Sequence, residues 1–145
     1  MDKIDSLAST SPCPKLKVAY VLIDLVYNIL VFGTNGYEDN GEPCSKTGEN
    51  HHCVHAEISL IKKIRDRRLS VDNCIFVGNY NPCPNCMNEI VNLGIKEVIF
   101  KEYFHDLNGL HIAKNNGVKI TLFSDFRLVE LTEERLEWMF LTRAH

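Results

Sequence analysis

The 145-residue sequence has no long apolar run; its longest apolar stretches are strand-sized and are broken by Asp24 and Asn28. A membrane-spanning helix needs about 20 such residues, so a membrane span is excluded. No apolar leader opens the chain, since Met1 to Pro14 is polar and punctuated by Ser, Thr and Pro. Excess charge of one sign is also absent: 16 basic residues stand against 19 acidic ones, a formal charge of −3. That argues against an affinity built on a broad phosphate-binding surface, so a nucleic-acid partner is not expected. A pocket for one small nucleotide stays open. There is no internal repeat and no low-complexity tract. Hydrophobic residues at 45% and charged residues at 24% are close to globular averages. The length suits a single domain over 1–145, with 1–14 as a short N-terminal helix and linker and 131–145 as a C-terminal helix.

What is plentiful is cysteine. Cys13, Cys44, Cys53, Cys74, Cys83 and Cys86 occur in a chain long enough to fold without staples. The reading is a cytoplasmic protein, where such cysteines serve as metal ligands or buried thiols.

Lys17 to Ile23 and Ile29 to Phe32 read as two strands joined through Asp24 to Asn28, a hairpin. Gly33 to Asn50 is a long polar loop, and such loops are often functional. Cys53 to Leu69 reads as a helix, with Val54, Ile58 and Ile61, and Leu60, Ile61 and Ile64, at helical spacing. Its Lys62, Lys63, Arg65, Arg67 and Arg68 are read as a solvated face rather than a nucleic-acid patch. Cys74 to Tyr80 is a strand. Pro84 to Leu93 is a helix stopped by Gly94. Ile95 to Phe100 is a strand, His105 to Asn116 a helix, and Val118 to Phe123 a last strand. Thr132 to Arg135 opens a C-terminal helix whose Trp138, Met139 and Phe140 are read as docking it. Strands alternating with helices imply crossovers and a mixed sheet covered on both faces.

Two segments carry chemistry: His51-His52-Cys53-Val54-His55-Ala56-Glu57 and Pro82-Cys83-Pro84-Asn85-Cys86. Cys83 and Cys86 stand three apart at a predicted helix start, so both sulfurs can meet one ion. The positive end of the helix favours thiolates there, and proline fits its first turn. Alone, the pair is either redox-active or half of a structural zinc site. With His55 it makes three tetrahedral ligands and leaves a fourth position for water. Glu57 is then a carboxylate beside the metal, free to shuttle a proton.

His55-Ala56-Glu57 followed by Pro82-Cys83-Pro84-Asn85-Cys86 resembles the signature of zinc-dependent cytidine/deoxycytidylate deaminases. Within that family the chain is most similar to the deoxycytidylate (dCMP) deaminases. Cys53 to Glu57, Asn92 to Val98 and Gly33 to Tyr37 look like that subgroup's segments. The resemblance implies a three-layer α/β/α fold around a central five-stranded mixed sheet. It implies zinc held by His55, Cys83 and Cys86, and hydrolytic deamination at C4 of a cytosine ring, dCMP going to dUMP and ammonia. Glu57 would protonate N3 and pass the water's proton to the leaving amine. Asn35 would contact sugar or base, and Ala56, Tyr80, Asn81 and Pro82 would join it around the substrate. Homo-oligomers and regulation by dCTP and dTTP belong to the same expectation.

A second, structural zinc at Cys44, His51, His52 and Cys53 is a further expectation, set against loop histidines and a buried Cys53 thiol. The segment Ser11 to Lys17 lacks the acidic and arginine residues usual in the subgroup, leaving Lys15 and Lys17 as phosphate candidates. Cys13 is read as a spectator and Cys74 as core. The competing readings are the same chemistry on a free nucleoside, guanine or a nucleic-acid base, and a non-catalytic zinc module that takes a fourth ligand from Cys53 or His52.

Overall fold

The computed structural model describes residues 1–13, 16–37, 42–43, 53–104 and 106–143. The helices are α1 (Asp2–Ala8), α2 (Ala56–Asp66), α3 (Pro84–Leu93), α4 (Asn108–Asn115) and α5 (Glu133–Arg143). The strands are β1 (Ala19–Ile23), β2 (Ile29–Thr34), β3 (Ile75–Tyr80), β4 (Glu97–Glu102), β5 (Lys119–Ser124) and β6 (Arg127–Glu130). One sheet takes them in the order β2-β1-β3-β4-β5-β6. The β1–β2 hairpin is antiparallel, as is β1 against β3; β3, β4 and β5 run parallel, and β6 returns antiparallel on β5.

The sheet is therefore mixed, as expected, but has six strands rather than five. The extra strand turns back through Asp125 and Phe126, both left-handed with φ of 50° and 60°. Two such residues make the primed turn that matches strand twist. Neither is Gly or Asn, so the usual sequence mark of that turn is missing.

The parallel crossovers place α3 and α4 on one face of the sheet, because right-handed connections leave no other choice. α2 packs on the same face, against β2 and β1. Tyr20, Leu60, Ile64, Phe76, Met87, Ile90, Phe100 and Leu110 are fully or almost fully buried there. The third layer is thin. Among the described residues α1 is the helix on the other face, setting Ile4 and Ala8 on Ala19, Val21, Ile23, Val77 and Ile99. α5 docks through Leu136 and Met139, while Trp138 is 65% exposed and faces away.

Helix boundaries follow local chemistry. α3 begins with Pro84 at its first turn and ends at Gly94, whose φ of 98° suits a residue without a side chain. α2 starts later than the apolar spacing suggests. Val54 is held in a β-bridge to Tyr37, its N–H donating to the Tyr37 carbonyl at 2.8 Å, and His55 is extended. The basic residues of α2 are solvated, apart from Lys63, whose ammonium lies 4.7 Å from the Phe32 ring centre. No helix among the described residues is long and apolar enough to cross a membrane.

Candidate active site

Two helix starts face each other at one end of the central strands. His55 is the N-cap of α2 and Cys83 the N-cap of α3, both extended and neither capped by a side chain. Glu57 lies in the first turn of α2 and Cys86 in that of α3. Amide groups at helix starts lack intrahelical partners and carry partial positive charge, so both ends favour anionic side chains.

The approach is as close as backbones allow. An ideal methyl carbon at Gly33 of β2 would stand 2.7 Å from the Ala56 carbonyl and 2.6 Å from the Leu60 nitrogen. One at Gly109 of α4 would stand 2.5 Å from the Pro82 carbonyl. Glycine at these positions lets β2 seat α2, and α4 seat the Pro82-Cys83 backbone.

The imidazole Nδ1 of His55 lies 3.5 Å from the Cys83 sulfur and 3.2 Å from the Cys86 sulfur. All three donor atoms fall within 4.8 Å of one another. Zinc bonds near 2.3 Å to sulfur and 2.0 Å to nitrogen, at tetrahedral angles, imply sulfur–nitrogen separations of about 3.5 Å. The donor set therefore fits zinc in both chemistry and spacing. Electrostatics agree. Cys86 hydrogen-bonds Cys83 and holds its thiol down at about 4, while the same bond and burial push Cys86 up. A cation beside the two sulfurs would favour both as thiolates. The hydrogen bond with Cys83 also raises the His55 ring above its ordinary value.

Glu57 is buried at 4% exposure and stands outside the converging donors. Burial pushes its carboxyl up to about 7. A carboxyl at that value both holds and releases a proton near neutrality.

The site opens into a cavity of about 400 Å³, the size of small-molecule pockets. Asn35, His55, Ala56, Glu57, Tyr80, Asn81, Cys83 and Cys53 line it, so most of the residues singled out in sequence meet there. Pro82 is buried behind the wall and Cys86 beneath it. Cys44, His51, His52 and Lys15 lie outside the described residues. Cys53 is in a disulfide, and a sulfur in that state is not a thiolate ligand.

Asn35 spends its amide on the chain. Its Oδ1 accepts from the Val18 N–H at 2.9 Å and the Ser11 hydroxyl at 2.7 Å, and its Nδ2 donates to the Leu16 carbonyl at 2.6 Å. Asn81 likewise donates to the Asp106 carbonyl at 3.0 Å and accepts from the Phe104 N–H.

Cys13, Leu16, Val18 and Phe104 complete the lining. No motif marks them. Cys13, a spectator by its sequence context, borders both this cavity and a second one of about 410 Å³. The second cavity shares Leu16 and Tyr80 with the first and carries Asp5, Lys17, Asn79, Lys101 and Glu102.

Known proteins bear on this arrangement. Deoxycytidylate deaminase of Saccharomyces cerevisiae is 29% identical over 136 residues, covering 81% of this chain and 41% of its own length. ComE operon protein 2 of Bacillus subtilis is 31% identical over 103 residues, covering 66% of this chain and 53% of its own. The chain thus spans about half the length of these relatives. Its fold is similar to that of the dCMP deaminase from cyanophage S-TIM5, solved in complex with dCMP and dUMP. The TM-score is 0.71, with 21% identity and coverage of 83% of this chain and 91% of that one. Residues 1–102 match the cytidine and deoxycytidylate deaminase zinc-binding region, a span that takes in both helix starts and all three donors. The chain belongs to that deaminase family.

Proposed function

We propose that this chain hydrolytically deaminates a cytosine nucleotide, dCMP to dUMP and ammonia, at the cavity where α2 and α3 begin. The observation that carries the proposal is the buried Glu57 carboxyl beside the His55, Cys83 and Cys86 donors at one wall of that cavity. In this reading His55, Cys83 and Cys86 hold zinc. When bound, zinc supplies a water acidic enough to serve as nucleophile near neutral pH.

The chain's own residues do the rest. Glu57 would take up a proton from the attacking water, donate one to N3 of the ring and carry one to the leaving amine. Ala56, Tyr80 and Asn81 shape the pocket around the base, with Pro82 backing the wall they form. Asn35 acts by holding residues 16–18 in the wall.

A nucleotide is favoured over a free base because the second cavity shares Cys13, Leu16 and Tyr80 with the first and has Lys17 and Lys101 in its lining. Its acids, Asp5 and Glu102, pair with Lys101 at 2.7 and 4.0 Å, whereas the Lys17 ammonium donates to the Ser11 carbonyl and has no carboxylate partner among the described residues, which makes it the cation to test against phosphate. The chain's relation to a deoxycytidylate deaminase supports the same substrate. A second zinc at Cys53 would require its disulfide to be reduced, and metal content measured with and without reductant tests that.

Ammonia release from dCMP, CMP, deoxycytidine, cytosine, guanine and short oligonucleotides tests the function. Turnover led by dCMP is expected. Turnover of an oligonucleotide without dCMP would overturn it. Lys17→Ala is expected to raise KM for dCMP several-fold while leaving deoxycytidine unchanged.

A further inference from the structure

We infer that Tyr20 positions the loop carrying Cys83, through a hydrogen bond from its hydroxyl to the main-chain carbonyl of Tyr80. Tyr20 lies on β1 and is fully buried. It is paired with Gly33 of β2 on one side and Gly78 of β3 on the other. On the β2 side the missing side chain admits the first turn of α2. On the β3 side it admits the Tyr20 ring itself, with which a methyl at Gly78 would collide. The ring is thereby laid along β3 toward its end, and the hydroxyl meets Tyr80, the last residue of that strand.

From Tyr80 the chain runs directly into the site. Asn81 borders the cavity, Pro82 backs it, and Cys83 is one of the three converging donors. The loop is pinned from the side by Asn81, through Asp106 and Phe104, and from beneath by Tyr20. Burial first, then the charges of Glu57, Cys86 and Cys83, push the phenol above its ordinary value, so it stays a donor. Phenylalanine would fill the same space and leave the Tyr80 carbonyl without this bond. Tyr20 is a positioning residue: it does not line the cavity, and it acts through the backbone between Tyr80 and Cys83.

The test is Tyr20→Phe, compared with Ile120→Val, a buried core change on β5. Losing the hydrogen bond is expected to speed amide exchange over residues 81–87 and to lower kcat/KM for dCMP, each by about tenfold, with zinc content unchanged. Ile120→Val is expected to move neither beyond its effect on global stability. Gly78→Ala, which displaces the ring but keeps the hydroxyl, is the second variant and is expected to loosen the same amides. Local exchange and kcat/KM in Tyr20→Phe indistinguishable from those of Ile120→Val would overturn the inference. The kinetic arm rests on the proposed deaminase activity. If the unaltered chain turns over no cytosine substrate, that reading fails, and the exchange comparison still decides the role of Tyr20.

Discussion

Gly109→Ala tests whether the Cys83 loop is held against a rigid wall. Gly109 is buried in the first turn of α4. The added methyl carbon would lie 2.5 Å from the Pro82 carbonyl oxygen and 3.0 and 3.1 Å from the carbonyl carbon and oxygen of Cys83. Ordinary contact begins near 3.4 Å, so helix and loop must part by roughly 0.9 Å. Helix propensity alone favours alanine by about 1 kcal/mol. Overpacking costs about 1–3 kcal/mol, so the net change is destabilising if the wall is rigid. α4 cannot back away freely, because Leu110 and Ala113 are fully buried. The loop must yield, and it carries a donor whose metal bond tolerates shifts of only about 0.2 Å. A catalytic group misplaced by about 1 Å can lose about a hundredfold in rate. The expected outcome is a lowered melting temperature, zinc affinity reduced at least tenfold in chelator competition, and kcat for ammonia release down about a hundredfold. Lys114→Ala, on the same helix, serves as control. A Gly109→Ala protein more stable than the parent, with zinc affinity and kcat within twofold, would refute the reasoning.

Glu57→Gln is expected to keep zinc and fold while lowering deamination by at least about a thousandfold, since the amide cannot carry a proton; metal analysis beside an ammonia assay checks it. Gly33→Ala is expected to destabilise by about 1–3 kcal/mol in urea titration and to weaken zinc binding, because its methyl would meet the α2 backbone at Ala56 and Leu60. Asp24 closes the β1–β2 turn, and its carboxyl is lowered chiefly by the Asn28 N–H, which donates at 2.9 Å. A lowered folded value contributes stability that is present above the unfolded value and lost as pH falls through the folded one. The urea midpoint gap between parent and Asp24→Asn should therefore shrink on acidification through that range; a gap constant down to pH 2 would refute it.

The α/β alternation is legible in the sequence because apolar periodicity switches with the element. Pro84 and Gly94 bound α3 in sequence as they do in space. β6 is not legible, because Asp125 and Phe126 adopt left-handed backbone without glycine or asparagine, and because Arg127 to Glu130 is an exposed edge with little apolar alternation. Apolar spacing starts α2 too early because Val54 has an apolar side chain but gives its N–H to Tyr37. That partner lies across a loop and is invisible to local spacing.

The site divides along the same line. Its donors are legible because a metal imposes residue types, and a helix start imposes short spacings on them: His55 with Glu57, and Cys83 with Cys86. Its supports are not, because they act by shape or through backbone atoms. Gly33, Gly78 and Gly109 matter for the side chain they lack, and Tyr20 and Asn81 matter for the carbonyls and amides they bind. Asn35 shows the division in one residue. Its family resemblance marks it for substrate, yet its amide is committed to Leu16, Val18 and Ser11. Those bonds use both acceptor sites of Oδ1 and one of the two Nδ2 donors, so Asn35 holds the wall and keeps one N–H for a ligand in the cavity it lines.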